Sequence, residues 1–386
     1  MITATPDKEY IIRLRRELHR IPEIGFDLPK TLGVIRRELD GMGIEYSEEF
    51  GKSSIVAYVA RGRGEAIAFR ADMDALPIKE ESGVPFSSEH EGKMHACGHD
   101  AHTAMLLGAA RMFKSVEEEL PCEVRLFFQA GEETPPGGAR LMCEDGCMDG
   151  VRAVFATHVG PTGVPGKIIF NYGATYACSR RFTIVMRGKS AHAAAPYRGV
   201  DAIAMSHRVY SALQVLRSRE VDPMKPVILN VGMISGGTAA NNIPDRVEMQ
   251  CSLRTLDDAT GEFIINRARE ICDAIATDMG GSAEVRALPY YPALVNDASL
   301  ARQFKLAAIR AVGEDMVYDG REPCLGGEDF AHFAKYAPAV NFLVGARLGD
   351  KICGTHHSDM VIDEDALVNP VLVYREIINQ LAFEQK

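Results

Sequence analysis

Met94-His95-Ala96-Cys97-Gly98-His99-Asp100-Ala101-His102-Thr103 is the stretch around which the chain is organised. It gathers metal-binding and proton-carrying side chains at the start of a helix. Ala104, Met105, Gly108, Ala109, Met112, Phe113 and Val116 repeat at helical spacing and predict a buried face, with Asp100 placed to cap the helix. Cys97 and His99 stand two apart across a glycine. In a turning backbone that spacing can aim a thiolate and an imidazole nitrogen at one point, as a metal ion requires. A surface histidine cluster beside an ordinary buried cysteine gives the same ten residues, so the surrounding chain has to decide.

Upstream, Ile11, Leu14 and Leu18 predict a first helix stopped by Pro22, and Leu32, Ile35 and Leu39 a second after Pro29. Strand-like runs follow at 54–59, 66–70, 124–128 and 153–156. Strands alternating with helices predict an α/β layer, a mostly parallel sheet with helices on both faces. Three of the runs end in ligand-type side chains: Asp72 and Asp74, Glu132 and Glu133, and His158. In open α/β sheets the site lies beyond the carboxyl ends of the strands. Carboxylates, imidazoles and a thiol are therefore expected to collect at one edge, beside Cys97 and His99.

From about Arg180 the pattern changes. Runs at 182–186, 227–234, 246–254 and 283–288 read as strands, and 201–217 and 263–279 as helices. That β-α-β-β-α-β order is ferredoxin-like. The expected organisation is a discontinuous domain, residues 1–178 and 290–386, interrupted by an inserted domain at 179–289. After the insertion, 300–312 and 366–381 read as helices and 340–344 as a buried strand.

The 386 residues carry 46% hydrophobic and 25% charged side chains, an ordinary globular balance. A formal charge of −10 argues against a nucleic-acid partner, whose binding surfaces are basic. No apolar run is long enough to span a bilayer, and residues 1–9 lack a signal-peptide core, so no membrane partner is expected. Nine cysteines without framework spacing predict a reducing compartment, the cytoplasm. Cys143 and Cys147 read as small apolar residues rather than a redox pair.

If Cys97, His99, Glu133, His158 and one of His356 or His357 meet, they offer ligands for two transition-metal ions, with too much nitrogen and sulfur for calcium or magnesium. Paired ions activate water and polarise a carbonyl. A further carboxylate that is not a ligand must then move the proton, and adjacent Glu132 and Glu133 supply one of each kind. Asp74 or Asp100 is expected to orient a ligand imidazole.

The segments 94–102 and 70–78 closely resemble the dinuclear-metal peptidase/amidohydrolase family, in the branch of hippurate hydrolases, N-acyl-L-amino acid amidohydrolases and plant auxin-conjugate hydrolases. The resemblance runs nearly end to end from Arg16-Glu17-Leu18-His19-Arg20-Ile21-Pro22-Glu23. It implies metal ligands at Cys97, His99, Glu133, His158 and His356, with His357 the second choice for the last, and a catalytic base at Glu132. Ser358 and Met360 depart from the family pattern after that last histidine. The resemblance also makes the insertion a lid and dimerisation domain. There His192, in Gly188–Pro196, is expected to reach the substrate carbonyl oxygen, in this family often from the partner subunit of a dimer, and Asn241 to contact substrate. Arg254 is suited to hold a carboxylate bidentately, and Gly327 matches a substrate-side loop. The implied cofactors are two divalent ions (Zn, Mn, Co or Ni) and the implied assembly is a homodimer through the lid. The implied reaction is hydrolysis of a small N-acyl amino acid, with metallo-carboxypeptidase or dipeptidase activity as the alternative. A metal-free Cys/His hydrolase and a non-catalytic binding protein are the readings from other classes.

Overall fold

Apolar residues run consecutively from Ala66 to Phe69 in the strand Ala66–Asp72, and both of its faces are covered. In the computed structural model, which describes residues 1–383, this strand is central in an eight-stranded sheet. From edge to edge the order is Glu45–Ser47, Ile55–Val59, Val124–Gln129, Ala66–Asp72, Val151–Gly160, Ala339–Gly345, Ile168–Ile169 and Val317–Tyr318. Four consecutive strands, from Val124–Gln129 to Ala339–Gly345, run parallel. Their near-continuous apolar character follows from burial on both sides.

Phe69 and Phe155 point to one face, where Phe69 stacks on Phe113 at 5.9 Å and meets Tyr374 at 4.5 Å. The helices His99–Lys114 and Val368–Ile378 therefore cover that face. On the other face Phe127 stacks on Phe333 at 5.3 Å, under the 3-10 segment Asp329–Lys335. Helix Lys8–Arg20 crosses close to His99–Lys114 at Gly108, where a Cβ would come within 2.6 Å of Ile11.

Contacts divide the described chain into two units. The first comprises Met1–Thr175, Val295–Glu322 and Asp329 onward; the second comprises Tyr176–Leu294 with Pro323–Glu328. In the second, Cys178–Arg187, Ala202–Arg219, Val227–Gly236, Arg246–Thr255, Asp258–Asp278 and Ser282–Ala287 follow as β-α-β-β-α-β. The sheet order is Val227–Gly236, Arg246–Thr255, Cys178–Arg187, Ser282–Ala287, all antiparallel, which is the ferredoxin-like arrangement. Phe182, Ile184 and Met186 pack with Met205, Val209 and Ile264 into its core.

Three local expectations are corrected. Gly98, not Asp100, is the N-cap residue of His99–Lys114, and no side chain caps that helix. Asp100 is instead drawn inward to the cations of the first helix, 2.9 Å from Arg15 Nε and 2.7 Å from His19 Nδ1. The run expected to end before Thr157 continues as Val151–Gly160, because pairing with Ala339–Gly345 extends the ladder through His158. The closing helix is shorter than 366–381: Glu364–Leu367 is 3-10, Val368–Ile378 is α and Asn379–Phe383 is a π turn. Among the described residues no helix is long and apolar enough to cross a membrane.

Candidate metal centre

The organising stretch turns at Gly98, whose φ is +92° and whose Cβ position would fall 2.3 Å from the Val159 side chain. Only glycine meets both demands there, and it lets Cys97 and His99 flank a sharp turn against the next strand. Cys97 Sγ lies 3.3 Å from His158 Nε2.

His99 and His158 each have one ring nitrogen tied to a backbone carbonyl. His99 Nδ1–H donates to Asp74 O at 2.8 Å, and His158 Nδ1–H donates to Val159 O at 2.8 Å. A carbonyl only accepts, so each ring in its neutral form carries its proton on Nδ1 and leaves Nε2 bare. Against burial, the nearby Asp72 carboxylate raises the His99 imidazole well above its ordinary range, so a metal ion at His99 Nε2 would have to displace a proton. His99 Nε2 is buried and has no hydrogen-bond partner. Burial, with His102 and His99 close by, holds the His158 imidazole well below its ordinary range and therefore neutral. Burial likewise pushes the Cys97 thiol up to about 12, so a nearby cation is needed to hold it as thiolate.

Donor atoms of Cys97, His99 and His158 lie within 4.8 Å of one another, as do those of Cys97, Glu133 and His356, and those of His99, Glu132 and Glu133. The first two groups share Cys97. Two bare imidazole nitrogens, a thiol and a carboxylate form a borderline-to-soft set that fits transition-metal ions. His356 Nε2 approaches Glu133 Oε1 at 3.0 Å. Its backbone is left-handed, φ +65°, and its N–H donates to Ala96 O at 2.7 Å. Such a conformation costs roughly 1–3 kcal/mol in a non-glycine residue and persists where its surroundings impose it.

Asp74 orients a candidate ligand imidazole as expected, though through its backbone, and Asp100 does not. The Asp74 carboxylate accepts the N–H groups of Glu132 (2.9 Å) and Glu133 (3.1 Å), fixing the turn that carries both glutamates. It is Asp74's carbonyl, not its carboxylate, that bonds His99. Asp100 serves His19 and Arg15. The carboxylate at the imidazoles is Asp72: Oδ1 accepts from His102 Nδ1 at 2.6 Å, and His102 Nε2 accepts the Val159 N–H at 2.9 Å. His102 thus braces the backbone beside His158, a role the sequence reading did not assign. Its position three residues after His99 on one helix face was the available signal.

The other expected residues lie in the second unit. His192 is exposed in a two-residue strand paired with Asn242–Ile243, and its Nδ1 accepts the Ala194 N–H at 3.1 Å. Asn241 is exposed, and its carbonyl accepts from Ala193 at 3.0 Å. Arg254 is half-buried, and burial followed by the neighbouring Arg181 lowers its pKa. Gly327 leaves no room for a side chain, with Tyr291 and Ser179 3.0 and 3.1 Å from its Cβ position.

Residues 68–380 match the sequence profile of Peptidase family M20/M25/M40. Thermostable carboxypeptidase 2 of Saccharolobus solfataricus is 36% identical over 368 residues, covering 93% of this chain and 92% of the relative. N-acetyl-L-cysteine deacetylase of Bacillus subtilis is 37% identical over 366 residues, covering 95% and 86%. A Bacillus subtilis crystal structure, described as a dinuclear metal binding peptidase, superposes with a TM-score of 0.84 at 32% identity, covering 97% of this chain and 98% of that one.

Proposed function

Because the chain belongs to peptidase family M20/M25/M40, a family of hydrolases, we propose that it cleaves the amide bond of N-acyl amino acids, releasing a carboxylate and a free amino acid. The observation that carries this reading is the pair of donor triads sharing Cys97, with Glu132 beside them. Cys97, His99, His158, Glu133 and His356 would hold two divalent ions (Zn, Mn, Co or Ni). Bound there, the ions supply Lewis acidity that polarises the carbonyl and makes water acidic enough to attack near neutral pH.

The chain's own residues do the rest. Glu132, 7% exposed, takes the proton from the attacking water and returns it to the departing nitrogen as the C–N bond breaks. His192 donates to the carbonyl oxygen as charge develops on it. Arg254 and Asn241 bind the substrate's carboxylate end, and Gly327 belongs to the loop on the substrate side.

The deacetylase relative's name supports an acylated amino acid as substrate. The carboxypeptidase relative's name favours a second reading, release of a C-terminal residue from a peptide. In both, the bond cleaved is an amide next to a free α-carboxylate, so turnover of N-acetyl and N-benzoyl amino acids against short peptides separates them. Glu132→Gln is expected to retain bound metal and lose about 10²–10⁴ in kcat. Metal-replete Glu132→Gln with wild-type turnover moves the base elsewhere.

The inserted domain, residues 179–289, serves in this reading as lid and dimer interface. Val227–Gly236 is an edge strand without charge, and Ile228, Met233 and Ile234 are exposed on it. Such an edge is a template for pairing with a second copy. Sedimentation should find a dimer that Ile234→Lys dissociates; a wild-type monomer at micromolar concentration excludes it. The cytoplasm is the proposed compartment, since all nine cysteines are free thiols and Cys97 must stay reduced. Cell fractionation tests this.

A further inference from the structure

Arg70 is 2% exposed, sits in the first unit and has no part in the steps above. It extends from the strand face opposite Phe69, and its guanidinium fork engages three elements at once. Nε donates to Gln129 Oε1 at 2.7 Å, Nη1 to Asp72 Oδ2 at 2.6 Å and Nη2 to Asp329 Oδ1 at 2.7 Å. Two of these contacts lead to different ligand-bearing segments of the candidate centre.

Asp72 continues through His102 to the Val159 N–H, beside His158, and its Oδ2 is 3.7 Å from His99 Nε2. Gln129 opens the turn that carries Glu132 and Glu133. Asp329 closes that turn, with Oδ2 accepting from Gln129 Nε2 at 2.6 Å and from the Ala139 N–H at 3.1 Å. One buried cation therefore ties the imidazole side to the carboxylate side.

Buried ion pairs are poor devices for stability alone, since apolar residues of similar volume serve as well or better. A rigid planar fork is suited to fixing three acceptors in one geometry, which an ammonium point charge does not do. We propose that Arg70 is a positioning residue. It sets the spacing between His99 and His158 on one side and Glu132 and Glu133 on the other, and so governs metal affinity and turnover. The turnover part rests on the proposed role of Glu132; the affinity part does not.

Arg70→Lys keeps the charge and loses the fork. Titrated with Co²⁺ against a competing chelator, the folded variant is expected to bind roughly 10–100-fold more weakly and to show an altered visible Co²⁺ spectrum. At saturating metal, kcat on an N-acetyl amino acid should fall by a similar factor with KM within about threefold. A lower Tm with wild-type Co²⁺ affinity, spectrum and kcat overturns the proposal. If Arg70→Lys does not fold, Gln129→Met cuts the fork on the carboxylate side alone. It must lower metal-saturated kcat by roughly tenfold or more, and unchanged turnover refutes the idea. Should the wild-type protein bind Co²⁺ yet hydrolyse no N-acyl amino acid or peptide, the proposed reaction fails. The Co²⁺ affinity and spectrum of Arg70→Lys still decide whether Arg70 positions the centre.

Discussion

His99 and His192 are both candidates for the same reaction, yet their surroundings are opposite. His99 is buried, with Nδ1 fixed by Asp74 and Nε2 left bare. His192 is exposed on a two-residue strand, with only a local bond to the backbone two residues on. A group that must bind a cation has to be oriented and desolvated beforehand, and its neighbours are selected to do that. A group that meets substrate at the surface needs no such cage. The difference implies separable failures: changes to the buried bracing of the first unit should alter stability and metal binding together, and changes in the second unit should leave metal binding unmoved.

The widest separation is expected from metal removal. Chelation should abolish activity, and Mn²⁺, Co²⁺ or Zn²⁺ should restore it, whatever is done to the second unit. A metal-free cysteine nucleophile would instead survive the chelator and succumb to alkylation. Next in size, His192→Ala should cost about 10²–10³ in kcat, comparable to losing one oxyanion donor, with Co²⁺ affinity and Tm at wild-type values. A shift in metal affinity in that variant would break the comparison. Asp100→Ala should do the reverse. It removes the buried anion that Arg15 and His19 share, leaving Arg15 with Glu364 and His19 with Glu80, and should cost up to about 3 kcal/mol in denaturant unfolding. Wild-type stability of Asp100→Ala would show that the charge cluster beside the centre is dispensable.

Much of the fold was legible because burial imposes periodicity. The parallel core strands read as apolar runs, and the insertion's β-α-β-β-α-β order read from its alternation. The short strands Glu45–Ser47, Ile168–Ile169 and Val317–Tyr318 were not legible, having two or three residues each and so too few to carry a pattern. Convergence of Glu133 and His158 beside Cys97 and His99 could be expected from ligand types at strand ends, whereas the choice of His356 over His357 rested on the family resemblance. The bracing beneath them could not. Asp100 has the chemistry of a helix cap, and only the fold puts Arg15 and His19, from a distant helix, within reach to draw it inward. Arg70 opens a conspicuous motif, but its partner Asp329 is 259 positions away. Local propensity names the residue types; tertiary partners decide what those residues do.

The smallest predicted effect gives the sharpest control. Helix Ala202–Arg219 in the second unit is capped by Asp201, whose Oδ1 accepts from the N–H groups of Ile203 (2.8 Å) and Ala204 (3.0 Å). Asp201→Ala removes that acceptor and both hydrogen bonds and should cost about 1 kcal/mol. No residue of the candidate metal centre lies on that helix, so Co²⁺ affinity should not move. If this modest loss in the inserted unit weakens metal binding, the two units are energetically coupled, and the division between a caged centre and an independent lid has to be given up.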